Sequence, residues 1–298
     1  MTLPATFKQQ LLASQKRCET ALNKAIKHLN ISDPYLADAM VYSLLNGGKR
    51  VRPFLVEATA QAMGIDDERV DIAMAAIEMV HSYSLVHDDL PAMDDDALRR
   101  GQPTCHIKFN EATAILAGDA LLTGAFEVLA DMPAEFTIAQ RLKLVRLLSQ
   151  GSGASGMVAG QAIDLASVGK DVDLVHLERM HAHKTGALIR ISVLMGAACG
   201  EPNADTLQHL TTYANAIGLA FQVQDDILDI ESDTATLGKQ QGADVALNKP
   251  TYPALLGLEG AKNKAEQLHQ QALEALKNLS GDTSALEQLA EYIITRNH

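Results

Sequence analysis

Apolar residues recur at intervals of three and four along most of the chain. Between Phe7 and Leu29 they fall at Leu11, Leu12, Ala21, Leu22, Ala25, Ile26 and Leu29, a spacing that draws one stripe on a helix, and strand-type alternation is absent. In 32-SDPYLADAMVYSLLNGG-48, Asp33 is placed to cap a helix start, Pro34 to take its first position and Gly47 to follow its end. Similar stretches cover about 51–63, 68–90, 110–131, 135–155, 173–198, 205–230, 250–278 and 283–296, separated by short Gly, Pro, Asn or Asp breaks. The pattern predicts an all-α protein. No long linker, low-complexity segment or repeat of about 30–45 residues interrupts it, so a single domain over 1–298 is expected and a solenoid is disfavoured. Glu78 is the only charge in 72-IAMAAIEMV-80. Helices this apolar belong at the centre of a bundle or at a subunit interface, which makes a dimer plausible.

Two acidic clusters break the apolar background, 87-HDDLPAMDDDALRRGQPTCH-106 and 221-FQVQDDILDIESD-233. In the second, Asp225 and Asp229 are four apart, about 40° around a helix and roughly 6 Å along it, so both carboxylates share one face. In the first, Pro91 follows Asp88 and Asp89 and cannot continue a regular helix. A bulge over Leu90–Met93 would swing Asp94 back toward Asp88. Isolated acidic runs are usually solvated faces, but both clusters close strongly apolar helices, 77-IEMVHSYSLV-86 and 216-AIGLAFQV-223. Like charges held beside apolar surface are costly unless a cation neutralises them. Oxygen ligands without Cys or His suit Mg²⁺, with Mn²⁺ as a substitute, completed by water and substrate phosphate.

Composition sharpens this reading. With 37 acidic against 25 basic residues and a net charge of −12, the chain lacks the basic stripe that nucleic acid requires. An anionic ligand must therefore be met by local cations. Lys49 and Arg52 follow two glycines in 47-GGKRVRP-53, Arg99 and Arg100 follow the first acidic cluster, and Lys184, Lys239 and Lys249 lie in HKTG, LGKQ and NKP. If they converge, they suffice for two phosphate-bearing groups. Cys18, Cys105 and Cys199 show neither disulfide nor thiolate-metal spacing, and the first residues lack the apolar core of a secretory signal. A cytoplasmic protein is expected. The most apolar run, 187-ALIRISVLMGAACG-200, contains Arg190 and is too short to span a bilayer, so it reads as a buried helix.

The ordered set GGKRVRP, DDLPAMDDDALRRG, HKTG and QVQDDILD resembles the trans-isoprenyl diphosphate synthases, and within them the bacterial members that stop at fifteen carbons. The resemblance runs from about residue 40 to 250. It implies a helical bundle around a deep central cavity, usually a homodimer, with isopentenyl diphosphate and an allylic diphosphate as substrates. Asp88, Asp94 and Asp225 would hold Mg²⁺, supported by Asp89, Asp226 and Asp229. Arg99, Lys184 and Lys239 would bind the allylic diphosphate. Lys49, Arg52, His81 and Arg100 would bind isopentenyl diphosphate. Thr185, Gln161 and Gln222 would line the cationic intermediate, and Lys249 would lie near a diphosphate.

Tyr83 lies five residues before Asp88, about 7.5 Å down a helix. Spacing alone leaves a core tyrosine and a cavity floor equally open; the resemblance favours the floor, hence a fifteen-carbon product over a twenty-carbon one. His87-Asp88 also permits an all-α HD-type metal phosphohydrolase, which would need further histidine ligands. A terpene cyclase would need more than 4% aromatic residues to line its pocket.

Overall fold

The computed structural model describes residues 5–133, 136–231 and 250–296. Lys239, Lys249 and the 237–249 segment lie outside the described residues. The helices are α1 (Ala5–His28), α2 (Pro34–Leu45), α3 (Val51–Ala62), α4 (Glu68–Asp88), α5 (Cys105–Lys108), α6 (Glu111–Ala130), α7 (Ile138–Ser152), α8 (Met157–Ser167), α9 (Leu174–Lys184), α10 (Gly186–Ala198), α11 (Ala204–Glu231), α12 (Tyr252–Leu276) and α13 (Ser284–Thr295). A two-stranded antiparallel hairpin, β1 (Leu98–Arg99) with β2 (Gln102–Pro103), is the sheet among the described residues.

The punctuation read from sequence is used as such. Asp33 accepts a hydrogen bond from the Leu36 amide at 2.7 Å with Pro34 as the first residue of α2. Asp67 caps α4, and Thr137 closes a capping box on α7. Two apolar cores result. One gathers α1, α2, α4, α6 and α7; the other gathers α3, α9, α11, α12 and α13. Helix α10 joins them, giving Leu188, Ile191 and Met195 to the first and Ile189, Val193 and Ala197 to the second. Helix α4 is buried on every residue from Ala73 to Val80, as its apolar pattern requires.

Four differences from the sequence pattern matter for the site. The expected 173–198 helix is broken between α9 and α10 at Thr185, a β-branched residue followed by glycine. Helix α8 (Met157–Ser167) falls between the helical stretches predicted over 135–155 and 173–198, where the sequence pattern placed no helix. Helix α12 is kinked at Gly257 (φ 72°, ψ 161°). Helix α6, rather than the run at 187–200, is long and apolar enough to cross a membrane by composition, yet it packs along α4 with 44% of its apolar window buried.

Candidate active site in two adjoining cavities

Helix α4 ends at Asp88, and the chain turns at Pro91. The Met93 amide donates to the Leu90 carbonyl at 2.8 Å, and the Asp94 amide donates to the Asp88 carbonyl at 2.9 Å. The bulge therefore brings Asp94 back over the helix end. The hairpin follows, with Arg100 and Gly101 both at positive φ (54° and 75°) at its tip, as a tight two-residue turn requires. This turn sends the two adjacent arginines to different places.

A cavity of about 440 Å³ collects the carboxylates of both clusters: Asp88, Asp94 and Asp96 from the first, Asp225, Asp226 and Asp229 from the second, and Asp164 from α8. Lys49, Arg99, Lys184, Thr185, Gln222, His181 and Arg296 share its wall. Burial lifts the Asp88 carboxyl above its ordinary range; Lys184 opposes the shift and Asp94 adds to it. Lys184 donates to Asp164 at 2.5 Å and sits 3.9 Å from Asp88. Burial works to lower Lys184, but Asp88 and Asp164 outweigh it, so the ammonium stays charged. Gln161 donates to Asp88. Thr185, freed by the helix break, donates to Gln222 Oε1 at 3.1 Å, and Gln222 donates to Asp226 at 3.4 Å. Asp226 is buried and also accepts from the Tyr252 amide at 2.9 Å.

Asp89 is placed differently from its neighbour. It is buried outside this cavity and accepts Arg99 Nε on both oxygens, at 2.7 and 2.9 Å. It acts on the cavity through Arg99, which lines it. Two residues not singled out from sequence also belong here. Arg296 donates to Asp225 at 2.7 Å, stacks on the Phe221 ring at 4.0 Å and is closed in by the end of α13. Asp164 holds Lys184. Neither falls in a motif: Asp164 is a lone charge on α8, and Arg296 follows the last residue of α13.

A second cavity, of about 570 Å³, is lined by Lys49, Arg50, Arg52, His81 and Arg100, with Glu78, Ile189 and Phe221. Arg100 donates to the Gly47 carbonyl, packed where a side chain on Gly48 would sit. His81 is held well below its ordinary pKa by burial and by the arginines around it, so it is neutral. Its Nε2 lies 3.3 Å from Arg52 Nη1, which can only donate. The ring proton is therefore on Nδ1, which is buried without a partner among the described residues. Lys49 lines both cavities, its pKa lowered by burial and by Arg296, with Asp225 opposing.

Tyr83 lines neither cavity. It is half-buried on α4 against the first core, with its ring edge on His87 at 5.0 Å and 76°. His87 donates to the Ile115 carbonyl at 3.0 Å, away from the carboxylates, so it supplies no ligand to an HD-type centre.

The described residues thus form an all-helical bundle with an acid-lined cavity beside a basic one. The chain belongs to the Polyprenyl synthetase family, whose profile matches residues 33–293. It is 55% identical to the farnesyl diphosphate synthase of Escherichia coli (strain K12), over 98% of this chain and 99% of that protein. It is 53% identical to the farnesyl diphosphate synthase of Haemophilus influenzae, over 97% and 98% of the two chains. The crystal structure of geranyltransferase from Legionella pneumophila superposes with a TM-score of 0.88 at 35% identity, covering 98% of both chains.

Proposed function

We propose that the protein joins isopentenyl diphosphate head to tail with dimethylallyl and then geranyl diphosphate, releasing farnesyl diphosphate and inorganic diphosphate. The observation that carries this reading is the pair of adjoining cavities, one acid-lined and one basic, with Lys49 in the wall of both. Two diphosphates of different metal content are held within reach of one another.

The acid-lined cavity fits Mg²⁺: the carboxylates of Asp88, Asp94, Asp225 and Asp229 offer hard oxygen donors, and burial already disfavours the bare charge on Asp88. Asp88, Asp94, Asp225 and Asp229 would hold Mg²⁺, which when bound would supply positive charge that stabilises a leaving diphosphate. A second acidic group, His28, Glu127 and Asp131, is exposed on the protein surface and lines neither cavity.

Arg99 and Lys184 face the same diphosphate and stabilise the charge it gains as the allylic carbon–oxygen bond breaks. At an effective dielectric of about 20, each unit charge pair at about 4 Å is worth roughly 4 kcal/mol. The linked Thr185 and Gln222 present oxygen lone pairs to the carbocation, with Gln161 bonded to Asp88 beside them. Lys49, Arg52, Arg100 and His81 hold isopentenyl diphosphate so that its double bond attacks that cation. The departing diphosphate, kept in place by Arg99 and Lys184, takes the proton that is lost. Lys239 and Lys249, outside the described residues, would complete the allylic site.

The active form is proposed to be a homodimer, supported by α6, which leaves Ile115 and Leu116 43% and 57% exposed on an otherwise apolar helix. A cytoplasmic location accords with three thiols that are all free and buried. The test is to supply isopentenyl and dimethylallyl diphosphates with Mg²⁺ and identify the prenyl chain by mass. A fifteen-carbon product is expected. Release of phosphate without chain growth would overturn the reaction, and a predominant twenty-carbon product would overturn the product assignment.

A further inference from the structure

Glu78 is the only carboxylate lining the basic cavity among the described residues. Its Oε1 accepts from Arg50 Nη1 at 2.5 Å, and the two side chains are 2% and 1% exposed. Arg50 Nη2 donates to the Leu44 carbonyl at 2.7 Å, tying the same guanidinium to the end of α2. The Arg50 backbone is left-handed (φ 50°, ψ 39°), a conformation that residues other than glycine rarely adopt, and it opens α3. Such a conformation persists only where its surroundings hold it. Lys49 precedes this residue and Arg52 follows it by two positions, while His81 lies three residues after Glu78, on the same face of α4. The pair thus links the turn that carries Lys49 and Arg52 to the helical turn that carries His81.

We propose that the buried Arg50–Glu78 pair is the positioning device of the basic cavity. It sets the left-handed turn from which Lys49 and Arg52 enter the cavity, Arg52 against His81, and Glu78 is the internal counter-charge that lets these cations sit together before an anion arrives. Neither residue needs to touch substrate. Burial weakens the hold of Arg52 and Arg100 on their protons, and Glu78 acts against that in both. The inference rests on the reading that this cavity takes isopentenyl diphosphate.

The experiment measures KM for each substrate, kcat and thermal midpoint in Glu78→Gln, Arg50→Met, the double variant Arg50→Met/Glu78→Met, and Arg52→Met. The single variants are expected to raise KM for isopentenyl diphosphate roughly tenfold or more, while kcat at saturation and KM for geranyl diphosphate stay within about twofold. Replacing both partners by apolar side chains removes the stranded charge, so the double variant should regain thermal stability. Its KM should nevertheless stay high, because the turn is no longer aimed. A wild-type KM in the double variant, or single variants that lose only stability, would overturn the inference. Should the single variants not fold, the double variant alone carries the test. Arg52→Met separates the two levels. If it leaves KM for isopentenyl diphosphate unchanged, the substrate assignment of the cavity fails; if it raises KM and the pair variants do not, only the positioning role fails.

Discussion

The Asp94 amide donates to the Asp88 carbonyl at 2.9 Å across the turn made by Pro91. This bond returns a residue six positions on to the helix end it left, so that both carboxylates enter one cavity. Asp88→Asn removes one charge worth roughly 4 kcal/mol at about 4 Å, so kcat/KM should fall by about a thousandfold. Asp94→Asn should behave similarly, and chelating Mg²⁺ should abolish turnover of the wild-type enzyme. Because burial disfavours the Asp88 charge, the unfolding midpoint of Asp88→Asn without metal should equal or exceed wild type. Steady-state kinetics and thermal unfolding read both arms; wild-type rates would remove Asp88 from the site.

Gly160 on α8 packs where any side chain would overlap the backbone nitrogen and Cα of Lys184. Backbone cannot yield as a flexible side chain would. Gly160→Ala should therefore cost roughly 1–3 kcal/mol in urea unfolding. It should also raise KM for the allylic substrate, because it pushes Lys184 away from Asp164 and Asp88. A variant with unchanged stability and unchanged KM would show that the two helices separate at no cost.

What the sequence made legible was the part encoded locally. Helical period, the Asp33 and Pro34 start signals, and the Pro91 break gave α2, the end of α4 and the return of Asp94, because each depends on residues within one or two turns. Charges that act across the fold were not legible. Arg296 reaches Asp225 from 71 positions away, and Asp164 reaches Lys184 from 20, with no local pattern to mark either. Arg50 illustrates the same limit inside a motif: its neighbours Lys49 and Arg52 stood out as a phosphate cradle, while its own partner, Glu78, read only as the lone charge in an apolar helix. The break at Thr185 was hidden because the apolar period continues through it in 173–198.

His181 lies in the wall of the acid-lined cavity, stacked on Tyr252 at 5.7 Å and 20°. Burial, aided by Lys184 and opposed by Asp164, lowers its pKa from 6.5 to about 4. The folded state keeps this ring neutral while the unfolded chain protonates it. Its contribution to stability is therefore complete above about pH 6.5 and is lost as pH falls from there toward 4. The loss amounts to about 3 kcal/mol. His181→Phe keeps the stack and lacks the titration. Urea unfolding of both proteins at pH 7.5 and pH 4.5 should show the wild type losing more stability by roughly that amount; equal losses would mean His181 is protonated in the fold.

Tyr83 offers the sharpest check on product length. It lies five residues before Asp88 on α4 and outside both cavities, so the floor role requires that a prenyl chain whose diphosphate is held at Asp88 and Asp94 run down the helix as far as this ring. Its ring edge rests on His87, which the Ile115 carbonyl anchors to α6, so the aromatic group is braced rather than free to swing aside. Tyr83→Ala removes the ring and keeps the helix. Because Tyr83 is only half-buried, the cost to stability should stay at or below about 3 kcal/mol. The product should shift from fifteen carbons toward twenty and beyond, whereas Tyr83→Phe, which preserves the ring, should not change it. Chain length is read by mass spectrometry after dephosphorylation of the products. A Tyr83→Ala enzyme that still stops at fifteen carbons would place the floor of the cavity elsewhere, with the diphosphate chemistry at Asp88, Lys184 and Asp225 untouched by that result.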